Sequence, residues 1–171
     1  PAACINALII SGRSTRRFCF EAFLPQDKKE RQAILEELKV ETRTIILYEA
    51  PHRLIQTLEV LQEALGDRKL TICRELTKKH ETVFLTTLSE ALVYYKENPP
   101  RGECVLVLEG RSREEMEAEK QQNWLEMPLE EHMAHYEAGG MDRKEAMKQV
   151  AKDRGISKRD VYKMLLDAEE K

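Results

Sequence analysis

The sequence predicts an α/β fold with a mixed sheet, followed by a small all-helical tail. Segments typical of strands alternate with segments typical of helices over residues 1–110, which is the pattern of a layered α/β protein. One polar segment joins two strands directly, which, together with the alternation, predicts a mixed sheet. From residue 111 the chain becomes polar and acidic, and glycines separate three short helical stretches.

The first elements are a helix, a strand and a second helix. Residues 2–11 are apolar nearly all round and stop at Gly12, which predicts a mostly buried helix. The segment RRFCFEAFL alternates apolar and polar residues, is rich in aromatics and ends at a proline, as strands do. Asp27 then suits the N-cap of the amphipathic helix DKKERQAILEEL.

The middle of the chain repeats this alternation. TRTIILYEA is an apolar, β-branched strand, Pro51 begins the helix PHRLIQTLEVLQEALG, and Gly66 ends it. Two strands follow, KLTICREL and ETVFLTTL. The helix LSEALVYYKEN and the strand GECVLVLEG complete the series.

These elements divide the chain into three regions. We expect a sheet-containing domain at 1–110, a helical linker at 111–125 and a small helical tail at 126–171. The last two tail helices, joined by RGIS with Ser157 as N-cap, have helix-turn-helix proportions. Their basic residues alternate with Asp and Glu, so a packing module explains them as well as a nucleic-acid reader does.

The composition argues against a membrane protein and against a strongly basic nucleic-acid binder. Charged residues make up 35% of the chain, and no apolar run approaches the roughly 20 residues that span a bilayer. The 28 basic and 31 acidic residues give a net charge of −3. Any contact with RNA must therefore come from a local patch.

Cysteine and histidine spacing predicts no metal site. The cysteines form no C-x-x-C pair, which favours buried thiols in a reducing cytoplasm over zinc or disulfides. They are Cys4, Cys19, Cys73 and Cys104. His132 and His135 lack a companion pattern such as H-E-x-x-H, so we expect them at the surface or the edge of a core.

The candidate site lies where strands end, because ligands of open α/β sheets bind there. Tyr48 and Glu49 end one strand, and His52 and Arg53 follow in the first turn of a helix, where the helix dipole disfavours cations. A bound anion, such as phosphate or the Glu49 carboxylate, would account for them. The alternative is a surface clamp between Glu49 and Arg53.

The second polar strand end is RELTKKHE, residues 74–81. Arg74, Lys78 and Lys79 suit phosphate contacts, and Glu75 could accept a proton from a hydroxyl. The alternative is a solvated charged loop. We expect this corner and the Tyr48–Glu49 corner to converge on a shared hollow.

The order of five segments resembles a known family. PAACINALIISG, RRFCFEAFLP, TIILYEAPHRL, TICRELTKKHE and GECVLVLEG resemble the bacterial 16S ribosomal RNA cytidine 2′-O-methyltransferases of the tetrapyrrole methylase superfamily. The resemblance covers residues 1 to about 110, and the tail is similar to the helix-turn-helix extension of that family. It implies the C-terminal subdomain of a tetrapyrrole methylase-like fold. We expect the N-terminal subdomain to be absent, since the chain starts at Pro1 without an initiator Met.

The resemblance also implies a reaction. The methyl donor is S-adenosylmethionine, and the acceptor is the ribose 2′-hydroxyl of a cytidine in 16S ribosomal RNA, within the small ribosomal subunit. Homodimers are common in the superfamily. The family's Pro-Ser-Ala turn stands here as Pro1, Ala2 and Ala3, so any contact of the serine hydroxyl is lost.

Site residues carry over by position. The expected cofactor contacts are Ala2, Ala3, Tyr48, Glu49 and Leu76. The expected substrate contacts are Arg53, Arg74, Lys78 and Lys79. For catalysis we expect Glu75 to accept or relay the hydroxyl proton, aided by Lys78, with Glu49 as the rival.

Two other functions remain open from the sequence. One is methylation of a tetrapyrrole or another small molecule, against which the helical tail and the basic connection argue. The other is a non-catalytic RNA-binding fragment, since the chain alone is expected to be inactive without its N-terminal half.

Overall fold

The computed structural model describes residues 2–169 and forms two compact units. The first runs to Ser112 and the second begins at Arg113. The strands are β1 (Phe18–Ala22), β2 (Thr44–Glu49), β3 (Lys69–Arg74), β4 (Thr82–Thr87) and β5 (Cys104–Leu108). The helices of the first unit are α1 (Ala3–Ile10), α2 (Lys28–Val40), α3 (Leu54–Leu65), which a 3-10 turn (Pro51–Arg53) precedes, and α4 (Leu88–Glu97).

The strands form one mixed sheet in the order β1-β2-β5-β3-β4. β1 and β2 are parallel, whereas β5 is antiparallel to both of its neighbours and β3 is antiparallel to β4. The predicted mixed α/β sheet is thus confirmed. The last strand of the sheet in the sequence lies at its centre, between β2 and β3.

One face of the sheet carries the main core. Leucines of α2, α3 and α4 pack on it, for example Leu35, Leu58 and Leu88. Asp27 caps α2 as the sequence predicts, accepting from the N–H groups of Lys29 and Glu30. Burying each of these leucine side chains stabilises the unit by about 1.5–3 kcal/mol.

Helix α1 packs on the opposite face, and the prediction that it is mostly buried is wrong. Only Ala7 and Leu8 are buried within it, against Ile46 and Val107 of the sheet. Ile9 is 66% exposed. The helix is apolar all round, but the sheet covers only one side of it within this unit.

The second unit contains four helices, α5 (Arg113–Glu126), α6 (Leu129–Ala138), α7 (Arg143–Arg154) and α8 (Lys158–Glu169). Met133, Val150 and Val161 lie in its small core. The region expected as a linker is helix α5, and it lies in this unit. Ser157 and Asp160 form a reciprocal capping box at the start of α8, as the predicted N-cap requires.

His132 is a core residue of this unit, so its expected position at the surface or core edge is wrong. The ring is fully buried and stacks on Trp124 at a centroid distance of 4.1 Å. Nε of Arg154 donates to Nδ1 of His132 over 3.1 Å. Stacking on the aromatic ring of Trp124 stabilises His132 in this buried position.

No helix within residues 2–169 is both long enough and apolar enough to cross a bilayer.

Candidate active site

The ends of β2 and β3 meet at one edge of the sheet, on either side of β5. Tyr48 and Cys73 are each in register with Val105, so the two strand ends lie level with one another. Between them and the start of α1 is a pocket of about 210 Å³. Its lining consists of Ala3, Phe23, Tyr48, Cys73, Glu75, Leu76, Lys78, Glu103, Cys104 and Val105. The expected convergence of the two corners is therefore confirmed.

Tyr48 connects the sheet to the start of α1. Its hydroxyl accepts a hydrogen bond of 3.1 Å from the backbone N–H of Cys4. Ala2 occupies the N-cap of α1 and has no side chain to accept that proton. Burial, with the side chain of Cys4, raises the pKa of Tyr48, although the backbone hydrogen bond from Cys4 opposes this, so the phenol is neutral at physiological pH. Pro1, the first residue of the expected cofactor turn, lies outside the described residues.

The connection 75–81 makes a tight turn, and its residues 77–81 are exposed to solvent. Glu75 and Thr77 both adopt left-handed backbone conformations, with φ of 50° and 65°. Such values are uncommon outside glycine and often accompany functional sites. The backbone N–H of Thr77 donates to Oε2 of Glu81 over 2.6 Å, which holds the turn closed.

Glu75 and Lys78 form an ion pair at the mouth of the pocket. Nζ of Lys78 lies 3.2 Å from Oε2 of Glu75, and the lysine side chain is 66% exposed against 29% for the glutamate. Gly102, with φ of 76°, makes room for this carboxyl group. A Cβ atom at Gly102 would lie only 2.9 Å from Cδ of Glu75. The glycine and the loop together set where the carboxylate can lie.

Arg74 and Lys79, two of the expected substrate contacts, do not line the pocket. Nε of Arg74 donates to Oγ1 of Thr82, and Nη1 donates to the carbonyl of Arg101. The guanidinium thus braces the two chain segments that flank the pocket. Lys79 is exposed in the connection.

Glu49 lies on the helix-covered face of the sheet, away from the pocket lining. It is fully buried, in register with Cys104 rather than Val105. Its carboxylate accepts from the backbone N–H of Ala50 and from the hydroxyl of Thr57 in α3. These partners satisfy the buried charge and tie β2 to α3, as buried carboxylates require.

Arg53 also faces away from this pocket. Its Nε lies 3.7 Å from Oε1 of Glu49, and Nη2 donates to the carbonyl of Leu24 over 2.9 Å. The expected clamp between Glu49 and Arg53 is present, but it is buried at its glutamate end instead of lying at the surface.

The sequence reasoning missed several lining residues, of which Glu103 and Phe23 matter most. Glu103 precedes β5, and it could have been found only by placing β5 between the two strand ends. Phe23 reaches the pocket because the register shifts between Phe20 and Ala22, where Ala22 has φ of 52°. With this bulge, the rings of Phe20 and Phe23 both contact Tyr48 edge-on, at centroid distances of 4.9 and 5.8 Å respectively.

The two pocket cysteines do not have the chemistry of nucleophiles. Burial raises the pKa of Cys73 to about 11 and that of Cys104 to about 12. Both thiols are therefore protonated at physiological pH, and a protonated thiol is a poor nucleophile. The acid–base groups of the pocket are instead Glu75, Glu103 and Lys78.

A model of a known protein family matches the part of the chain that contains most of this pocket's lining. Residues 2–92 match the model of the family described as Tetrapyrrole (Corrin/Porphyrin) Methylases. The chain belongs to this family. The matched region contains β1 to β4 and both polar strand ends, so the resemblance read from YEAPHRL and RELTKKHE is confirmed.

Curated relatives extend the similarity into the second unit. The chain is 46% identical over 160 residues to ribosomal RNA small subunit methyltransferase I of Bacillus subtilis, covering 94% of this chain and 54% of the relative. It is 43% identical over 168 residues to the protein of that name from Synechocystis, covering 98% of this chain and 58% of the relative. The chain thus spans about half the length of the curated relatives it matches.

Two solved structures share the fold at low sequence identity. The methyltransferase CobJ superposes with a TM-score of 0.51 at 15% identity, covering 64% of this chain and 48% of CobJ. The cobalamin biosynthetic enzyme cobalt precorrin-4 methyltransferase, CbiF, gives 0.50 at 14% identity, with coverages of 63% and 48%. These likenesses confirm the predicted fold class of a tetrapyrrole methylase.

Proposed function

We propose that this chain forms one part of an S-adenosylmethionine-dependent methyltransferase that acts on the ribose 2′-hydroxyl of a cytidine in 16S ribosomal RNA. The observation that carries the proposal is the pocket shared by the ends of β2 and β3, with the Glu75–Lys78 pair at its mouth. The relatives named ribosomal RNA small subunit methyltransferase I support the choice of ribosomal RNA. The proposed place of action is the cytoplasm, where the small subunit is the partner.

The pocket residues fit part of such a cofactor. The rings of Phe23 and Tyr48 offer an aromatic surface to an adenine ring, and the carboxylates of Glu75 and Glu103 complement a positive charge. At about 210 Å³ the pocket is smaller than the roughly 300–1,000 Å³ of sites that enclose a drug-sized ligand. This chain would therefore supply one wall of the cofactor site.

The proposed cofactor contacts follow from this wall. Ala3, Tyr48 and Leu76 line it and would hold the cofactor directly, with Ala2 beside them at the N-cap of α1. Glu49 would act at one remove, by fixing the end of β2 from the opposite face through Thr57.

The proposed chemistry asks little of the protein beyond alignment and proton removal. When bound, S-adenosylmethionine supplies a methyl group on a sulfonium, which is already activated for displacement. Glu75 would accept the proton of the ribose hydroxyl, and Lys78 would keep that carboxylate oriented and stabilise negative charge on the ribose oxygen. Glu103 replaces Glu49 as the rival proton acceptor, because Glu103 lines the pocket and Glu49 does not.

The experiment joins this chain to the amino-terminal half of the Bacillus subtilis relative and assays methyl transfer to small ribosomal subunits that lack the modification. We expect a methylated cytidine ribose, located by mass spectrometry of nuclease digests. Glu109→Gln, at the far end of β5, is the control for Glu75→Gln because its carboxylate pairs only loosely with Lys69 at 3.9 Å. Methylation of a base instead of a ribose would refute the proposed acceptor.

Calorimetry tests the cofactor part on this chain by itself. We expect residues 1–171 to bind S-adenosylmethionine much more weakly than the joined protein, because one wall of a site provides a fraction of its contacts. Equal affinity in the two proteins would show that the pocket described here is not a half-site.

A further inference from the structure

A second pocket of the first unit, of about 400 Å³, has a basic lining. It lies between the segment after β1 and the start of α3, and its lining consists of Gln26, Arg31, His52, Arg53 and Gln56. No carboxylate is among these described residues. A collection of cations and amides without an acid is unexpected in a chain whose net charge is −3, and it creates a local site of positive potential.

Backbone carbonyls hold the two arginines of this pocket in place. Nη1 of Arg31 donates to the carbonyls of Pro25 and Gln26, over 3.2 and 2.9 Å. Nη2 of Arg53 donates to the carbonyl of Leu24. The acceptors of Arg31 are neutral carbonyls, whereas Arg53 also lies 3.7 Å from the carboxylate of Glu49, and in both cases the orientation of the guanidinium is set in advance. A ligand therefore loses less entropy in ordering these side chains.

The pocket places His52 and Arg53 at a helix start, where a bound anion is favourable. His52 and Arg53 occupy the 3-10 turn that leads into α3, and α3 has no acidic residue in its first turn. The helix dipole is positive at this end, and it disfavours cations there. The buried carboxylate of Glu49 lies 3.7 Å from Arg53, but it already accepts hydrogen bonds from Ala50 and Thr57.

We propose that this pocket binds a phosphate group of the RNA backbone close to the methylated nucleotide, an assignment that rests on the proposed function. Phe23 lines the first pocket and Gln26 lines the second. Three residue steps span at most about 11 Å even when fully extended, so the Cα atoms of Phe23 and Gln26 lie within about 11 Å of each other. Arginine forks and amide donors suit the oxygens of a phosphodiester.

The decisive variant is Gln56→Glu, which places a carboxylate in the pocket at an exposed helix position. The matched control is Gln62→Glu, which makes the same change in α3 six residues further on, outside the pocket lining. The measurement is fluorescence anisotropy of a single-stranded RNA of mixed sequence with the 171-residue chain. We expect Gln56→Glu to weaken binding about tenfold at low salt, and Gln62→Glu to leave it within about twofold.

Salt dependence tests whether the contact is with a phosphate. Arg31→Gln should reduce the slope of log affinity against log salt by about 0.7, the value for one phosphate contact on a single strand. Lys29→Gln, an exposed change in the same helix outside the pocket, should leave the slope unchanged. Equal affinities and slopes for the parent, Gln56→Glu and Arg31→Gln would overturn the proposal.

Titration with inorganic phosphate distinguishes free phosphate from the RNA backbone as the ligand of this pocket. We expect phosphate to shift the NMR signals of the His52 ring in the parent chain but not in Gln56→Glu. A shift without any effect of Gln56→Glu on RNA binding would assign the pocket to free phosphate and refute the RNA contact. The proposed methyl transfer has a separate readout. If the chain binds RNA through this pocket but the joined protein leaves ribosomal RNA unmodified, only the methyl-transfer proposal fails.

Discussion

Tyr48 and Cys73 lie opposite the same residue, Val105, from the two sides of β5. The parallel strands β2 and β3 therefore end level with each other, and Tyr48 and Cys73 line the same pocket. On the other face Glu49 and Arg74 are both in register with Cys104. Successive side chains of a strand point to opposite faces. Tyr48 therefore lines the pocket, whereas its neighbour Glu49 lies on the helix-covered face.

Gly102→Ala should displace the carboxyl group of Glu75. The new methyl group would lie 2.9 Å from Cδ of Glu75, and the left-handed backbone at Gly102 adds about 1–2 kcal/mol of strain. Gly12→Ala is the matched control, since Gly12 has φ of 69° and nothing within 4 Å of the added atom. Thermal unfolding should show losses of similar size for both variants. Methyl transfer by the joined protein should fall only with Gly102→Ala; equal activities would contradict the proposed role of Glu75.

Glu75→Gln and Glu49→Gln should have opposite signatures. The first removes the proposed proton acceptor, so we expect kcat of the joined protein to fall by about 10²–10⁴ with little change in stability. The second disturbs a buried carboxylate that accepts from Thr57 and Ala50, which should lower the free energy of unfolding by about 1.5–3 kcal/mol. The kcat of folded Glu49→Gln should stay near the parental value. A fall in kcat for Glu49→Gln alone would restore Glu49 as the catalytic carboxylate.

Ala2→Ser should stabilise the start of α1. Ala2 has the extended backbone of an N-cap, with φ of −77° and ψ of 125°, but no side-chain acceptor. A serine hydroxyl there would accept an N–H of the first turn and contribute about 1 kcal/mol. Amide hydrogen exchange in α1 should slow about fivefold. Ala3→Ser, one position inside the helix, should not slow it, and an equal effect of both variants would rule out capping as the cause.

The helical unit should lose stability as the pH falls below about 6.5. Burial, with the neighbouring charge of Arg154, lowers the pKa of His132 in the folded chain, although Asp153 opposes this. The unfolded chain takes up the proton at higher pH than the folded chain, so acid favours unfolding. Urea titrations followed by the fluorescence of Trp124, the one tryptophan of the chain, measure this unit. His132→Asn, which keeps an acceptor for Arg154, should reduce the dependence between pH 6.5 and 5.5, whereas His80→Gln in the first unit should not.

Local sequence was enough to predict the elements, because helix and strand patterns depend on residues close together in the chain. The alternation of strand and helix, Asp27 and Ser157 as N-caps, and the convergence of two polar strand ends are all present in the structure. The family resemblance came from the same segments. The sequence did not show which face of α1 packs on the sheet. Ile9 and Leu8 are similarly apolar, yet only Leu8 packs against the sheet.

The tertiary structure decided which polar residues share a pocket. Placing β5 between β2 and β3 brought Glu103 to the site, and the bulge at Ala22 turned Phe23 toward Tyr48. The pleat sent Glu49 to the opposite face. Strand order and register are set by contacts between residues far apart in the chain, so the residue types are encoded locally whereas their meeting at one site depends on the whole sheet.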